Sequence, residues 1–176
     1  MKLQQAKQQD LDLVMDFLND GKSQLAKLGV NQWQDNYPSA IDVTKDIAIG
    51  SAFLIQSDTN QNVGVISIVS APDHAYDSFT GKWLQDTEQY VSIHRIAIHS
   101  DHSGKGYATK ILEQVIGFLS NAHPPFESIR ADTNENNLPM QHVFEKLGFV
   151  KVGEMSSPHE TNDDIYFVYE KSLKNK

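Results

Sequence analysis

The run YVSIHRIAIHSDHSGKGYATKILEQVIGFL, Tyr90 to Leu119, restricts the folds open to this 176-residue chain more than any other stretch. Tyr90 to His99 is rich in β-branched and aromatic residues and predicts a strand. Beyond it, Ala108, Ile111, Leu112, Val115 and Leu119 recur at i, i+3, i+4, i+7 and i+11, which predicts a helix of three to four turns with one buried face. Between the two lies Gly104-Lys105-Gly106. A strand that passes into a helix through a glycine turn belongs to a mixed α/β architecture rather than to an all-helical or all-β one.

Such a turn also has a chemistry. The first turn of a helix carries backbone N–H groups without intrahelical acceptors, at the positive end of the helix dipole, and so favours an anion. Glycine permits the dihedral angles that aim those groups at a ligand and keeps side chains out of its way. Two nucleotide signatures fail here. A Walker loop needs glycine where His99 stands and Ser or Thr where Gly106 stands, and a dinucleotide fingerprint needs a small third residue where Thr109 stands. From the turn alone, an anion site and a plain tight turn both remain open.

The rest of the chain supplies the partners of this unit. A short strand, Met1 to Ala6, opens it; Asp10 can cap a helix on Leu11, Val14, Met15 and Leu18 that continues past Gly21 to Gly29. The loop GVNQWQDNYPS precedes a short helix near Ile41 to Ile49. Ser51 to Gln56 and Val63 to Ser70 form a hairpin about a polar turn, and Ala71 to Gln89 is irregular and long enough to suggest a binding role. Ser128 to Thr133 is a strand. Met140, Val143, Phe144 and Leu147 mark a helix closed by Gly148, and Val150 to Met155 with Ile165 to Leu173 form a terminal pair around SSPHETND. The order β-α-α-β-β-β-α-β-α-β-β implies one domain, 1–176, with a mixed, partly antiparallel sheet.

Composition excludes several classes. There is no cysteine, hence no disulfide, thiolate metal site or cysteine nucleophile, as befits a reducing compartment. The start MKLQQAKQQD lacks an apolar h-region, and the longest nearly apolar run, Ile47 to Ile55, is far too short to span a bilayer. A cytosolic protein with no membrane partner is expected. The net charge of −8 argues against a nucleic-acid partner and mildly favours approach by small cations such as amines.

Two segments together resemble a known family. HRIAIHSDHSGKGYATKILEQV is similar to the cofactor motif of the GNAT N-acetyltransferases, whose loop reads Q/R-x-x-G-x-G/A; Gly104 and Gly106 match, and Asp101 replaces the usual Gln or Arg. NLPMQHVFEKLGF, beginning at Asn137, resembles the family's asparagine-helix-Gly-Phe segment, and QWQDNYPS resembles a bacterial GNAT subgroup. The resemblance implies a mostly antiparallel sheet, splayed at the cofactor strand and flanked by helices, that holds acetyl-CoA as co-substrate. It assigns the pantetheine arm to the backbone of Ile96, Ala97 and Ile98. The pyrophosphate falls to N–H groups of His102, Ser103, Gly104, Lys105, Gly106, Tyr107 and Ala108. Asn137 matches the asparagine that meets the cofactor arm, and it is equally placed to cap its helix. Lys105 either meets a phosphate or is a solvated turn lysine. The family's proton-donating tyrosine falls at Phe144, which packs beside the cofactor but carries no proton.

The implied reaction is direct transfer of an acetyl group to a primary amine, without metal or covalent intermediate. The amine must lose a proton, and Glu88, just before the cofactor strand, and His94, within it, are the candidate bases. Each has an ordinary alternative, a solvated carboxylate and a structural histidine. A metal reading of His94, His99 and His102 fails because residues 94 and 99 would face opposite sides of a regular strand. Trp33, Tyr37, Tyr76, Trp83 and Tyr90 can wall an apolar or cationic acceptor site or can pack the loops onto the core. The acceptor, a small-molecule or peptide amine, is not legible. A homodimer is common among such proteins. Phe144 motivates the rival expectation, a non-catalytic acyl-CoA-binding module on the same fold.

Overall fold

The computed structural model of the chain describes residues 1–157 and 164–174. In order these form β1 (Lys2–Gln5), α1 (Leu11–Lys27), α2 (Ala40–Ala48), β2 (Ala52–Gln56), β3 (Asn62–Ser70) and β4 (Thr80–Gly81). There follow β5 (Tyr90–Ile98), α3 (Tyr107–Ser120), β6 (Ser128–Asn134), α4 (Leu138–Lys146), β7 (Val150–Ser156) and β8 (Ile165–Ser172). The sheet order is β1-β2-β3-β5-β6-β8-β7-β4. β5 and β6 are parallel, joined by the pairs from Tyr90↔Ser128 to Ile93↔Ala131, whereas β1–β2, β2–β3, β4–β7, β6–β8 and β7–β8 are antiparallel. The mixed, mostly antiparallel sheet with helices is therefore the one expected from the sequence.

By contacts the chain divides into two units, Met1–Ile68 with His94–Ile111, and Val69–Ile93 with Leu112–Lys176. In the first, α1 turns Val14, Phe17 and Leu18 into a core with Trp33, Val43, Ala52, Leu54, Val65 and Ala97. This is the 3.6-residue stripe read from the sequence, and the helix runs unbroken through Gly21. α2 starts at a capping box: Asp42 N–H donates to Ser39 Oγ at 3.4 Å and Ser39 N–H donates to Asp42 Oδ2 at 2.8 Å. Such a cap contributes about 1 kcal/mol to holding the helix start in place. Gly64 on β3 allows a close approach, since a Cβ there would stand 2.2 Å from the Ala97 carbonyl oxygen.

In the second unit α4 begins at Asn137, whose side-chain oxygen accepts from Met140 N–H at 3.3 Å, and it stops at Leu147 before Gly148, whose φ is +77°. Phe144 points from α4 into the core. Tyr76, Met155, Tyr166 and Val168 form a further cluster, covered by Phe79, Trp83 and Val152. The segment expected to be wholly irregular, Ala71 to Gln89, contains one 3-10 turn at His74–Tyr76 and the short strand β4, paired as Thr80↔Glu154 and Gly81↔Gly153. Two residues are too few for any period to show in sequence. The loop expected at SSPHETND lies mostly outside the described residues. Among the described residues, no helix is long and apolar enough to cross a membrane.

Candidate functional site

β5 leaves the sheet into a 3-10 turn, Ser100–His102, and then the glycine pair. Gly104 and Gly106 have φ of +73° and +69°, and a Cβ added to either would meet nothing within 4 Å. The glycines are required by backbone conformation rather than by crowding, and the space beside them is open. The fourteen-residue α3 then starts at Tyr107. An open turn with two left-handed glycines, leading into the N-terminus of a full-length helix, fits a phosphate-bearing ligand. Lys105 Nζ donates to the Asp101 carbonyl at 3.1 Å, so its charge is held over the turn, and the His102 ring stacks on Tyr107 with centroids 6.2 Å apart.

The turn is fastened from α1 by residues that the motif did not single out. Asp20 accepts from Ser100 N–H at 2.8 Å and from Ser100 Oγ–H at 2.7 Å. Gln24, one turn on, donates to the Ile98 carbonyl at 2.8 Å and to Asp20 at 2.7 Å. The signal was an i, i+4 polar pair near the buried face of α1, but only the fold shows what it meets. Burial pushes the Asp20 carboxyl up. The Ser100 and Gln24 hydrogen bonds and the His99 imidazole, whose Nε2 is 3.9 Å away, outweigh that and hold it below the ordinary 3.8. A lowered folded value means that Asp20 stabilises the protein fully above the ordinary aspartate range and ceases to do so as pH falls through the folded value. The urea stability gap between the wild type and Asp20→Asn should therefore be widest at neutral pH and narrow as the pH is lowered below about 4. A gap independent of pH would show that the Asp20 carboxylate does not anchor the turn.

Within β5, Arg95 has φ of +49°, a left-handed conformation uncommon outside glycine. Its guanidinium makes a paired contact with Asp46 of α2, Nε to Oδ2 at 2.7 Å and Nη2 to Oδ1 at 2.7 Å, and Nη1 donates to Tyr37 Oη. Ser67 Oγ–H donates to Asp46 Oδ2 at 2.7 Å. Burial opposes the charge on Arg95, but Tyr37 and Asp46 more than offset it and raise its pKa. β5 is thus not a regular strand, and the alternation used to separate His94 from His99 does not hold across Arg95. Among the described residues no group of three or more His, Asp or Glu side chains could hold a metal. His94 is half-buried on β5.

The remaining candidates belong to the second unit. Glu88 is exposed in the loop before β5. Asn137 is buried and caps α4. Phe144 is 1% exposed, its ring 5.3 Å from that of Phe149 and 5.2 Å from that of Tyr169, so it presents no surface for a ligand. The aromatic residues divide between the two units, and each has partners within its own. Trp33 is buried in the core of the first unit, and Tyr37 is bonded to Arg95. Trp83 and Tyr90 enclose the protein's own Arg130, whose Cζ lies 3.8 and 3.6 Å from their centroids, and Tyr76 O–H donates to Asp132 at 3.1 Å. A guanidinium from β6 already fills the place a ligand cation would take.

Known proteins sharpen this picture. The sequence model described as the acetyltransferase (GNAT) family matches residues 22–149 and so crosses both units. An N-alpha-acetyltransferase from Saccharolobus solfataricus is 26% identical over 149 residues, 85% of this chain and 86% of that protein. An aminoglycoside N(6')-acetyltransferase type 1 from Klebsiella pneumoniae is 29% identical over 85 residues; the match takes in 48% of this chain and 42%, less than half, of that relative's length. The crystal structure of a GNAT-family acetyltransferase from Streptococcus agalactiae superimposes with a TM-score of 0.83 at 30% identity, covering 99% of this chain and 96% of that one. With the glycine turn in place and the family model spanning more than half of the chain, the chain belongs to the GNAT acetyltransferase family.

Proposed function

We propose that the protein is an acetyl-CoA-dependent N-acetyltransferase that acetylates a primary amine by direct attack, as one cytosolic catalytic domain over residues 1–176. The observation that carries this reading is the open turn at Gly104 and Gly106 ahead of α3, in a chain of this family. Acetyl-CoA, when bound, supplies an acetyl group activated as a thioester. The chain's own part is to bind and orient. The N–H groups of His102 and Ser103, expected to take part, already donate to the His99 and Ser100 carbonyls at 2.9 and 3.0 Å, so those from Gly104 to Ala108 receive the pyrophosphate, and the backbone of Ile96, Ala97 and Ile98 lies along the pantetheine arm. The Ile98 carbonyl already accepts from Gln24. Asn137, the asparagine of the family motif, caps α4.

Glu88 is the better candidate for taking the amine proton, directly or through water, because it is exposed and can reach an incoming substrate. His94 is the second. Phe144 serves as core, so the departing sulfur takes its proton from a group other than this ring. The acceptor is an amine; relatives' names point to an aminoglycoside N(6') nitrogen in one case and an N-alpha nitrogen in another. These relatives are all acetyltransferases, and the non-catalytic alternative gains no support from them. A homodimer is one assembly to be tested by light scattering.

Steady-state thiol release across a panel of amines tests the reading. Turnover with at least one amine is expected, and Glu88→Gln should lower kcat/KM about 100-fold and remove the fall in rate at acid pH that protonation of this base causes. Unchanged turnover at every pH would remove Glu88 as the base. CoA binding without turnover on any amine would count against the enzyme itself.

A further inference from the structure

We infer that the buried Asp46–Arg95 pair is a positioning device, one that keeps residue 95 in its left-handed conformation and thereby sets the line of Ile96–Ile98, the edge assigned to the cofactor arm. The inference rests on the function proposed above for that edge. Arg95 has φ of +49° in mid-strand, where the paired segment with β6 has ended at Ile93. A bulky residue does not adopt this conformation unless its surroundings enforce it. Here the enforcement is visible. Both guanidinium edges are engaged, by the two Asp46 oxygens and by Tyr37 Oη, and the Arg95 and Asp46 side chains are only 12% and 8% exposed. Asp46 is itself fixed by Ser67 Oγ–H, and it sits on α2 between Val43 and Ile47, whose apolar side chains pack in the same core.

The pair does more than a packed salt bridge would, because the chain just beyond it is fastened as well. Three residues after Arg95 the Ile98 carbonyl is bonded to Gln24 of α1, and the Ser100 N–H is bonded to Asp20 of the same helix. Ile96 to Ile98 are thus held at both ends, by α2 on one side and α1 on the other, and Ala97 is pressed against Gly64 between them. If the clamp opens, residue 95 relaxes to the extended conformation. Each later residue of the strand then presents its opposite face, because strand side chains and backbone groups alternate with a period of two.

The test separates conformation from charge. In an Asp46→Asn background, which removes the buried charge that a lone substitution would leave unpaired, residue 95 is changed to Gly in one variant and to Ala in the other. Glycine accepts a positive φ without cost; alanine does not. CoA affinity by calorimetry is expected to stay within about 5-fold of wild type for the Gly variant and to fall more than about 10-fold for the Ala variant. Equal affinities in the two variants, whether both retained or both lost, would overturn the inference. Hydrogen exchange at the amides of Ile96–Ile98, measured without CoA, gives the independent readout: protection retained with Gly and lost with Ala supports the clamp, and equal protection overturns it. Wild-type protein that fails to bind CoA would sink the proposed function while leaving the exchange comparison to decide the clamp.

Discussion

Gly106→Glu is expected to weaken CoA binding at least about 100-fold while the protein stays folded. Gly106 has φ of +69°, so any other residue carries a backbone cost there of about 1–2 kcal/mol. A domain of this kind is stable by about 5–15 kcal/mol, and an added Cβ meets nothing within 4 Å, so the fold tolerates the change. The ligand does not. A carboxylate at the start of α3 places negative charge where helix N–H groups and the dipole favour an anion, and its bulk occupies the open space beside the turn. A factor of 100 corresponds to about 2.7 kcal/mol, which is modest for a repelled diphosphate. Gly106→Asn is the control. Asparagine adopts left-handed φ more readily than most residues and adds no charge, so its loss should stay within about 10-fold. Calorimetric titration with CoA, beside thermal melts of each variant, checks both. Undiminished affinity in a folded Gly106→Glu protein would place the phosphate elsewhere.

Phe144→Ala is expected to cost about 3–5 kcal/mol of stability. The ring is 1% exposed and packs against Phe149 and Tyr169, and nothing about its position offers water a way in. Truncation removes the transfer free energy of the ring and leaves a cavity that α4 and β8 close only in part. Urea denaturation of the two proteins reads the difference directly. A loss under about 1 kcal/mol would mean that the ring is not a core element. The result bears on mechanism, since it separates a residue kept for packing from one that faces the cofactor.

The order of strands and helices was largely open to reading, because α1, α3 and α4 carry a helical period, while β3, β5 and β6, with runs of consecutive buried residues, stand out as β-branched segments rather than by alternation. β4 could not, since its two residues are defined by what they pair with. The glycine turn was equally open to reading: Gly104 and Gly106 have the left-handed conformations that their residue type suggested. What the sequence concealed is how the turn is held. Asp20, Gln24, Asp46 and Arg95 look like ordinary surface charges and amides on a one-dimensional string. Each meets a partner 49 or more residues away. Asp46 left one trace, a carboxylate on the apolar side of a short helix beside Val43 and Ile47, which demands a buried cation somewhere in the chain. The aromatic residues misled for the complementary reason. Trp83 and Tyr90 do form a cation site, but β6 supplies the cation from within as Arg130.

The central claim is that CoA is held at the turn between β5 and α3. A crystal structure of the protein with CoA tests it most directly. The account predicts pyrophosphate oxygens within hydrogen-bond distance of N–H groups between Gly104 and Ala108, and the pantetheine arm alongside Ile96–Ile98. CoA bound with its pyrophosphate away from these N–H groups, or a turn left empty at saturating CoA, would contradict it.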